Sequence, residues 1–148
     1  MNNILIDGIS FIEKLSFNSF NEGTRLIHCL KMHKRLFGVE AKKVGGDTGY
    51  AGTENRDYCK ENGIQTSFVK RGQPFNGERK DLVRKELARV RATAMEGSFG
   101  TQKEHYDLRR VKARTKLTEI LYIFFGIRTA NVVQLADRIE QRAQLAAS

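Results

Sequence analysis

Long apolar runs are absent from this 148-residue sequence, and none approaches the roughly 18 residues that a membrane-spanning helix requires. We therefore expect no membrane partner. Proline is scarce, since Pro74 stands alone, and the sequence contains no internal repeat or clear linker. The length and the 40% apolar content predict one domain, residues 1–148, with a normal core.

Cysteine is equally sparse. Cys29 and Cys59 form no Cys-x-x-Cys pair, and neither they nor the histidines have the spacing of zinc ligands. Unpatterned thiols are typical of a reducing compartment, which favours a cytoplasmic protein. Because both cysteines lie among helix-forming residues, we predict two buried free thiols.

Acidic residues are outnumbered in one third of the chain. Residues 70–116 hold 14 Lys and Arg against 6 Asp and Glu, a net charge of +8, whereas the whole chain carries +9. A clustered basic segment is the electrostatic footprint of a nucleic-acid-binding protein. It is equally typical of a solvated basic helix face, and charge alone does not separate the two interpretations.

Periodicity and turn residues predict alternating strands and helices. The predicted strands are 4–6, 9–17, 41–47 and 64–69, and the predicted helices are 24–37, 53–62, 79–96 and 115–142, with Gly126 a candidate kink. Asp7 and Gly8 predict a tight hairpin turn between the first two strands. Strand 41–47 is expected to continue through a helical crossover to a parallel neighbour, in a mixed sheet flanked by helices.

Two carboxylates lie where such a fold could use them. Asp47 follows a strand and two glycines, and the carboxyl ends of strands are where α/β sheets place ligands. Glu96 precedes Gly97, Ser98 and Gly100, which leave room for a phosphate backbone. Hard oxygen ligands suit Mg²⁺ or Mn²⁺. The simpler interpretations are a turn aspartate and a solvated glutamate at a helix end.

Bases and an aromatic residue follow the glutamate. Lys103, Arg109 and Arg110 are candidates to hold phosphates, with Tyr106 beside them. Together with two carboxylates, this composition predicts metal-assisted chemistry on a polyanion.

Two blocks of residues resemble the DDE-type transposases of bacterial insertion sequences. The first is Gly46-Asp47-Thr48-Gly49-Tyr50 with Gly52 and Asn55, and the second is Met95-Glu96-Gly97-Ser98-Phe99-Gly100 with Lys103, Tyr106 and Arg110. The resemblance implies a ribonuclease H-like mixed sheet and metal-dependent cleavage and strand transfer of DNA. It implies that Asp47 and Glu96 bind Mg²⁺ or Mn²⁺, and that Lys103 contacts the transposon end.

Two departures from the family pattern qualify these roles. Family members often carry arginine four residues before the glutamate, where this chain has Ala92, so Arg91 is a DNA contact out of its usual place. The family's first catalytic aspartate lies on a central first strand, upstream of the segment that residues 2–17 match. Asp7 is the nearest candidate, but it falls in the hairpin turn. We therefore expect a partial catalytic domain that is inactive alone.

Three functions remain open from the sequence. The first is a transposase fragment acting on transposon ends and target DNA, as a homodimer or beside an intact transposase subunit. The second is a non-catalytic DNA-binding module or transposase inhibitor. The third is a ribonuclease H-like nuclease acting on RNA.

Overall fold

The computed structural model describes residues 1–68, 78–90, 93, 104, 111 and 113–147. Its elements are β1 (Asn2–Ile6), β2 (Ile9–Lys14), a 3-10 turn (Glu22–Arg25), α1 (Leu26–Phe37), β3 (Lys43–Val44), a second 3-10 turn (Thr48–Tyr50), α2 (Thr53–Glu61), β4 (Gln65–Thr66), α3 (Glu78–Val90) and α4 (Lys116–Ala146). This content confirms the predicted α/β class. None of the helices in these ranges has both the length and the apolar character needed to cross a membrane.

Strands β1 and β2 form the predicted hairpin. Asp7 and Gly8 have φ of 46° and 76°, the left-handed pair that a two-residue turn of matching twist requires. β2 ends at Lys14, three residues earlier than predicted. Asp7 therefore lies in a turn, as its neighbouring glycine indicated.

Strands β3 and β4 pair in parallel, with Lys43 opposite Gln65 and Val44 opposite Thr66. α2 is the connection between them, which confirms the predicted crossover. Both strands contain two residues, and the 41–47 prediction was too long because Gly45 and Gly46 weaken strand pairing. The described strands form two separate two-stranded sheets, where one mixed sheet was predicted.

The chain divides into two compact units. The first comprises Met1–Ile4 and Ile12–Thr93, and the second comprises Leu5–Phe11 and Ala94–Ser148. Whether they act as the predicted single domain stays a prediction.

The core of the first unit joins α1, α2 and the start of β4. Its buried members are Leu26, Leu30, Cys59 and Ile64, with Val44, Tyr50 and Phe68 packed against them. Gly38 (φ 71°) ends α1 and Gly63 (φ 66°) follows α2, both as predicted.

Cys29 and Cys59 are buried free thiols, which confirms that prediction. Burial raises the pKa of Cys29 to about 11, which makes it a poor nucleophile.

Helix α2 begins at Thr53, as predicted, with Gly52 at its cap position. One helix prediction needs correction. Gly126 does not interrupt α4, which runs unbroken for 31 residues from a capping box at Thr115. One glycine costs only about 1 kcal/mol in a helix interior, too little to break a helix of this length.

In the second unit, α4 packs on the hairpin turn. The Asn131 side chain accepts from the Ser10 backbone N–H (2.9 Å) and donates to the Ser10 carbonyl oxygen (2.8 Å), as a neighbouring strand would. Arg138 donates to the carboxylate (3.1 Å) and to the carbonyl oxygen of Asp7. Ile127, four residues before Asn131 in the same helix, is 3% exposed. These contacts fix one face of the helix.

A buried ion pair fastens the open end of the hairpin to α1. Arg25 donates two hydrogen bonds to the Glu13 carboxylate, whose side chain is 5% exposed, and Asn2 donates a third at 3.0 Å. Burial alone would raise the pKa of Glu13, but the hydrogen bonds from Arg25 and Asn2 outweigh burial and lower it. The ionised carboxylate is therefore part of the folded state.

We expect Glu13→Gln to lower stability at neutral pH and to weaken its acid dependence. Because the folded pKa lies below the ordinary 4.5, this stabilisation is present above pH 4.5 and is lost as the pH falls through the folded pKa. Urea unfolding between pH 3 and pH 7 measures the effect. Glu40→Gln is the control, since the Glu40–Lys34 pair is largely exposed. Equal pH profiles for both variants would contradict the assignment.

Candidate functional site

Asp47 lies in the first turn after β3, where the sequence predicts it. Its backbone is extended (φ −75°, ψ −179°), and its Oδ1 atom accepts a hydrogen bond from the Gly49 N–H at 2.8 Å. The side chain is exposed, and Oδ2 receives no hydrogen bond from the described part of the chain. One oxygen thus fixes the orientation of the carboxylate while the other remains available to a ligand.

The glycine before Asp47 is closely packed. A Cβ atom on Gly46 would lie 3.1 Å from Tyr50 Cδ2 and 3.3 Å from Phe68 Cε1. Both rings pack against the core of the first unit. The Gly46 backbone therefore packs against the rings of Tyr50 and Phe68. This contact fixes the direction in which the chain continues to Asp47.

A second close approach holds the other side of the turn. A Cβ atom on Gly23 would collide with the Gly49 carbonyl oxygen, so these two backbones are in direct contact. The buried Asn55 side chain (5% exposed) donates to the Gly23 carbonyl oxygen at 2.6 Å and to the Tyr50 carbonyl oxygen at 2.9 Å. One amide group thus binds the Asp47 turn to the loop that precedes α1.

Tyr50 connects the same turn to the first strand. Its hydroxyl donates to Asn2 Oδ1 at 3.0 Å, and the Asn2 amide nitrogen donates to Glu13 and, at 3.4 Å, to Cys29 Sγ. Asn2 is 2% exposed. Burial, with a smaller contribution from nearby acids, raises the pKa of Tyr50 to about 12, so the hydroxyl stays a hydrogen-bond donor at neutral pH.

The other predicted site residues lie outside the described residues. They are Glu96, Arg91, Lys103, Tyr106, Arg109 and Arg110. Whether Glu96 approaches Asp47 stays a prediction, as do the phosphate contacts. The structure does correct one candidate, because the Asp7 carboxylate is paired with Arg138 in the hairpin turn.

One of the described side chains, Asp47, has a carboxylate oxygen that suits a divalent cation. Asp47 offers a hard, exposed carboxylate oxygen of the kind that Mg²⁺ and Mn²⁺ prefer. Within the described ranges, no group of three His, Cys, Asp or Glu side chains could hold a metal ion. The chemistry of the Asp47 carboxylate suits a metal ligand, and whether it binds a metal ion stays a prediction.

Sequence reasoning missed the support of the turn. Asn2, Glu13 and Arg25 are common surface residue types, and their positions depend on contacts between residues 11 to 48 positions apart along the chain. Asn55 was noted within a motif without a role. A polar residue one turn inside a helix that follows a glycine-rich turn is the signal that could have identified it.

Fold and site together define an α/β protein that presents an oriented carboxylate at the carboxyl end of a parallel strand. The family described as Transposase DDE domain matches residues 44–134, which is more than half of the chain. No curated protein and no solved structure matches this chain. The chain belongs to the transposase DDE domain family.

Membership confirms the resemblance seen in the sequence and makes the function transposase-related. Domains of this family act on DNA and generally depend on divalent metal ions. The matched range begins at Val44 in β3 and includes both predicted acidic residues.

We expect Asn55→Ala to destabilise the protein by about 1–3 kcal/mol, because it removes a buried amide that donates to two partly buried carbonyl oxygens. Asn62→Ala is the matched control, since Asn62 donates to one exposed carbonyl oxygen at the other end of α2 and should cost about 0.5 kcal/mol or less. Urea unfolding of the three proteins measures the difference. Equal midpoints for the two variants would refute the role of Asn55.

Proposed function

We propose that this chain is part of the catalytic core of a DNA transposase, in which Asp47 and Glu96 bind a divalent cation beside DNA. The observation that carries the proposal is the Asp47 carboxylate, held through Oδ1 by Gly49 and exposed through Oδ2. A carboxylate used only to close its turn would not need the buried supports at Asn55 and Tyr50. The family match over residues 44–134 supports the same function.

The proposed roles follow from the chemistry of the side chains. Bound Mg²⁺ or Mn²⁺ would supply an activated water and stabilise charge on the leaving 3′ oxygen. Asp47 and Glu96 would bind the metal ion through carboxylate oxygens. Lys103, Arg109 and Arg110 would bind DNA phosphates. Tyr106 and Arg91 are the further DNA contacts. Only Asp47 among them has a described position.

We further propose a ribonuclease H-like arrangement. Its support is an antiparallel hairpin, a parallel β3–α2–β4 unit, and the Tyr50–Asn2 hydrogen bond, which brings the carboxyl end of β3 to the start of β1. In this arrangement the role of the first catalytic aspartate is not filled by Asp7, which lies in the hairpin turn and pairs with Arg138.

The activity test uses the chain extended by the coding sequence immediately upstream of the Met1 codon. We expect Mg²⁺- or Mn²⁺-dependent nicking of insertion-sequence end DNA. Asp47→Asn should reduce the rate at least about 100-fold, more than loss of an outer-shell partner usually does. Asp57→Asn is the control, since Asp57 is an exposed α2 carboxylate. An inactive extended chain, or an unaffected Asp47→Asn variant, would refute the site.

A DNA-binding module without catalysis is the second candidate. The observations that favour it are the net +8 of residues 70–116 and the exposed Arg84, Lys85 and Arg89 of α3. Such a module would grip backbone phosphate and could inhibit an intact transposase by occupying its DNA.

DNA affinity separates the two candidates. If roughly six to ten phosphates are contacted, affinity should fall about 10³- to 10⁵-fold between 50 and 200 mM salt. Fluorescence anisotropy is then repeated with Mn²⁺ at matched ionic strength. The transposase proposal expects Mn²⁺ to tighten binding by the extended chain and Asp47→Asn to abolish that gain. Steep salt dependence with no effect of Mn²⁺ favours the binding module, and preference for RNA favours the nuclease.

A further inference from the structure

Helix α4 has a second face that is apolar and exposed. Its packed face carries Ile127, Asn131 and Arg138 against the hairpin turn, as described above. About a quarter of a turn away lie seven large apolar side chains, each between 41% and 68% exposed. We call them the apolar stripe: Leu117, Leu121, Phe124, Phe125, Val132, Leu135 and Ile139.

The spacing of the stripe indicates a helical partner. Phe125, Val132 and Ile139 recur every seven residues, and Leu121 and Leu135 occupy the intervening positions four residues before Phe125 and Ile139. This alternation of three and four is the pattern by which two helices pack along a common seam. A solvated helix face would carry charged residues at these positions, and the side that carries Glu119, Asp137 and Glu140 does so.

The exposed area is close to what a stable dimer needs. At roughly 150 Å² for a fully exposed large side chain, the seven exposed fractions amount to on the order of 600 Å². Monomeric proteins rarely expose a contiguous apolar patch larger than a few hundred Å². Covering the stripe on two chains would remove about 1,200 Å² from water, the lower bound for a specific interface.

We propose that the apolar stripe binds the same stripe of a second copy of this chain, with the two α4 helices antiparallel. In this register Phe125 packs on Leu135 of the partner subunit, and Ile139 packs on Leu121 of the partner subunit. Every large apolar residue of the seam then meets another apolar side chain, or the stem of an arginine. A two-fold axis near residue 130 generates the whole interface from one set of residues.

Arg128 decides the orientation. It occupies a seam position, and a parallel pair would place it against the same guanidinium of the partner. The antiparallel pair places its stem beside Val132 of the partner subunit instead. The Arg128 guanidinium already lies 5.2 Å from the centre of its own Phe124 ring, which holds the charge at the edge of the seam.

Analytical ultracentrifugation of the whole chain between 1 and 100 µM tests the association. We expect a species of twice the 16.9 kDa chain mass. Phe125→Glu and Ile139→Glu should each weaken self-association at least about 30-fold. Val133→Glu is the control, because Val133 is 45% exposed on a different face of the same helix. Circular dichroism shows whether each variant retains its helix content.

Cross-linking tests the orientation. In the antiparallel register, a mixture of Phe125→Cys and Leu135→Cys chains should form a disulfide across the interface. Each variant alone should not, because two copies of residue 125 would lie about 15 Å apart along the axis. Cys29 and Cys59 are buried, so the unmodified chain gives the background.

A monomer at 100 µM would overturn the proposal, as would a dimer that both glutamate variants leave intact. Cross-linking of Phe125→Cys with itself would overturn the antiparallel orientation. These readouts require neither DNA nor a metal ion, so they are independent of the outcome of the nicking assay.

Discussion

The contact between the backbones of Gly23 and Gly49 is the constraint on which the first unit depends. The two segments approach so closely that Gly23 has no room for a side chain, and the Asn55 amide closes the contact by donating to the carbonyl oxygens of Gly23 and Tyr50. Among the residues that the structure describes, four buried side chains form the core of this unit. Polar groups with specific geometry therefore define the position of the Asp47 turn more than apolar area does, because hydrogen bonds have direction and burial does not.

Local chemistry explains why part of this fold could be predicted from the sequence. The Asp7-Gly8 turn, the glycines that follow α1 and α2, and the parallel crossover all follow from backbone preferences within a few residues. Strand lengths could not be predicted, because pairing depends on neighbours distant in sequence. The position of Asp47 followed from its motif, whereas the Tyr50–Asn2 and Asn131–Ser10 contacts join residues 48 and 121 positions apart.

The carboxylates of Glu13, Asp7 and Asp47 differ in what they contact. Glu13 is buried, bound by Arg25 and Asn2, and fully used in holding the hairpin to α1. The Asp7 carboxylate is exposed, but Arg138 donates to one of its oxygens. The Asp47 carboxylate is also exposed, and its Oδ2 atom receives no hydrogen bond from the described part of the chain. Glu13 thus stabilises the fold, whereas the part of Asp47 in chemistry stays a prediction.

A structure of the extended chain with Mn²⁺ and an insertion-sequence end tests the central claim most directly. The anomalous signal of manganese locates the ion without reference to any assumed ligand. The account predicts an ion with one carboxylate oxygen of Asp47 and one of Glu96 each about 2.1 Å away. Asp47 and Glu96 carboxyl groups on opposite sides of the protein, or an ion bound without either, would contradict it.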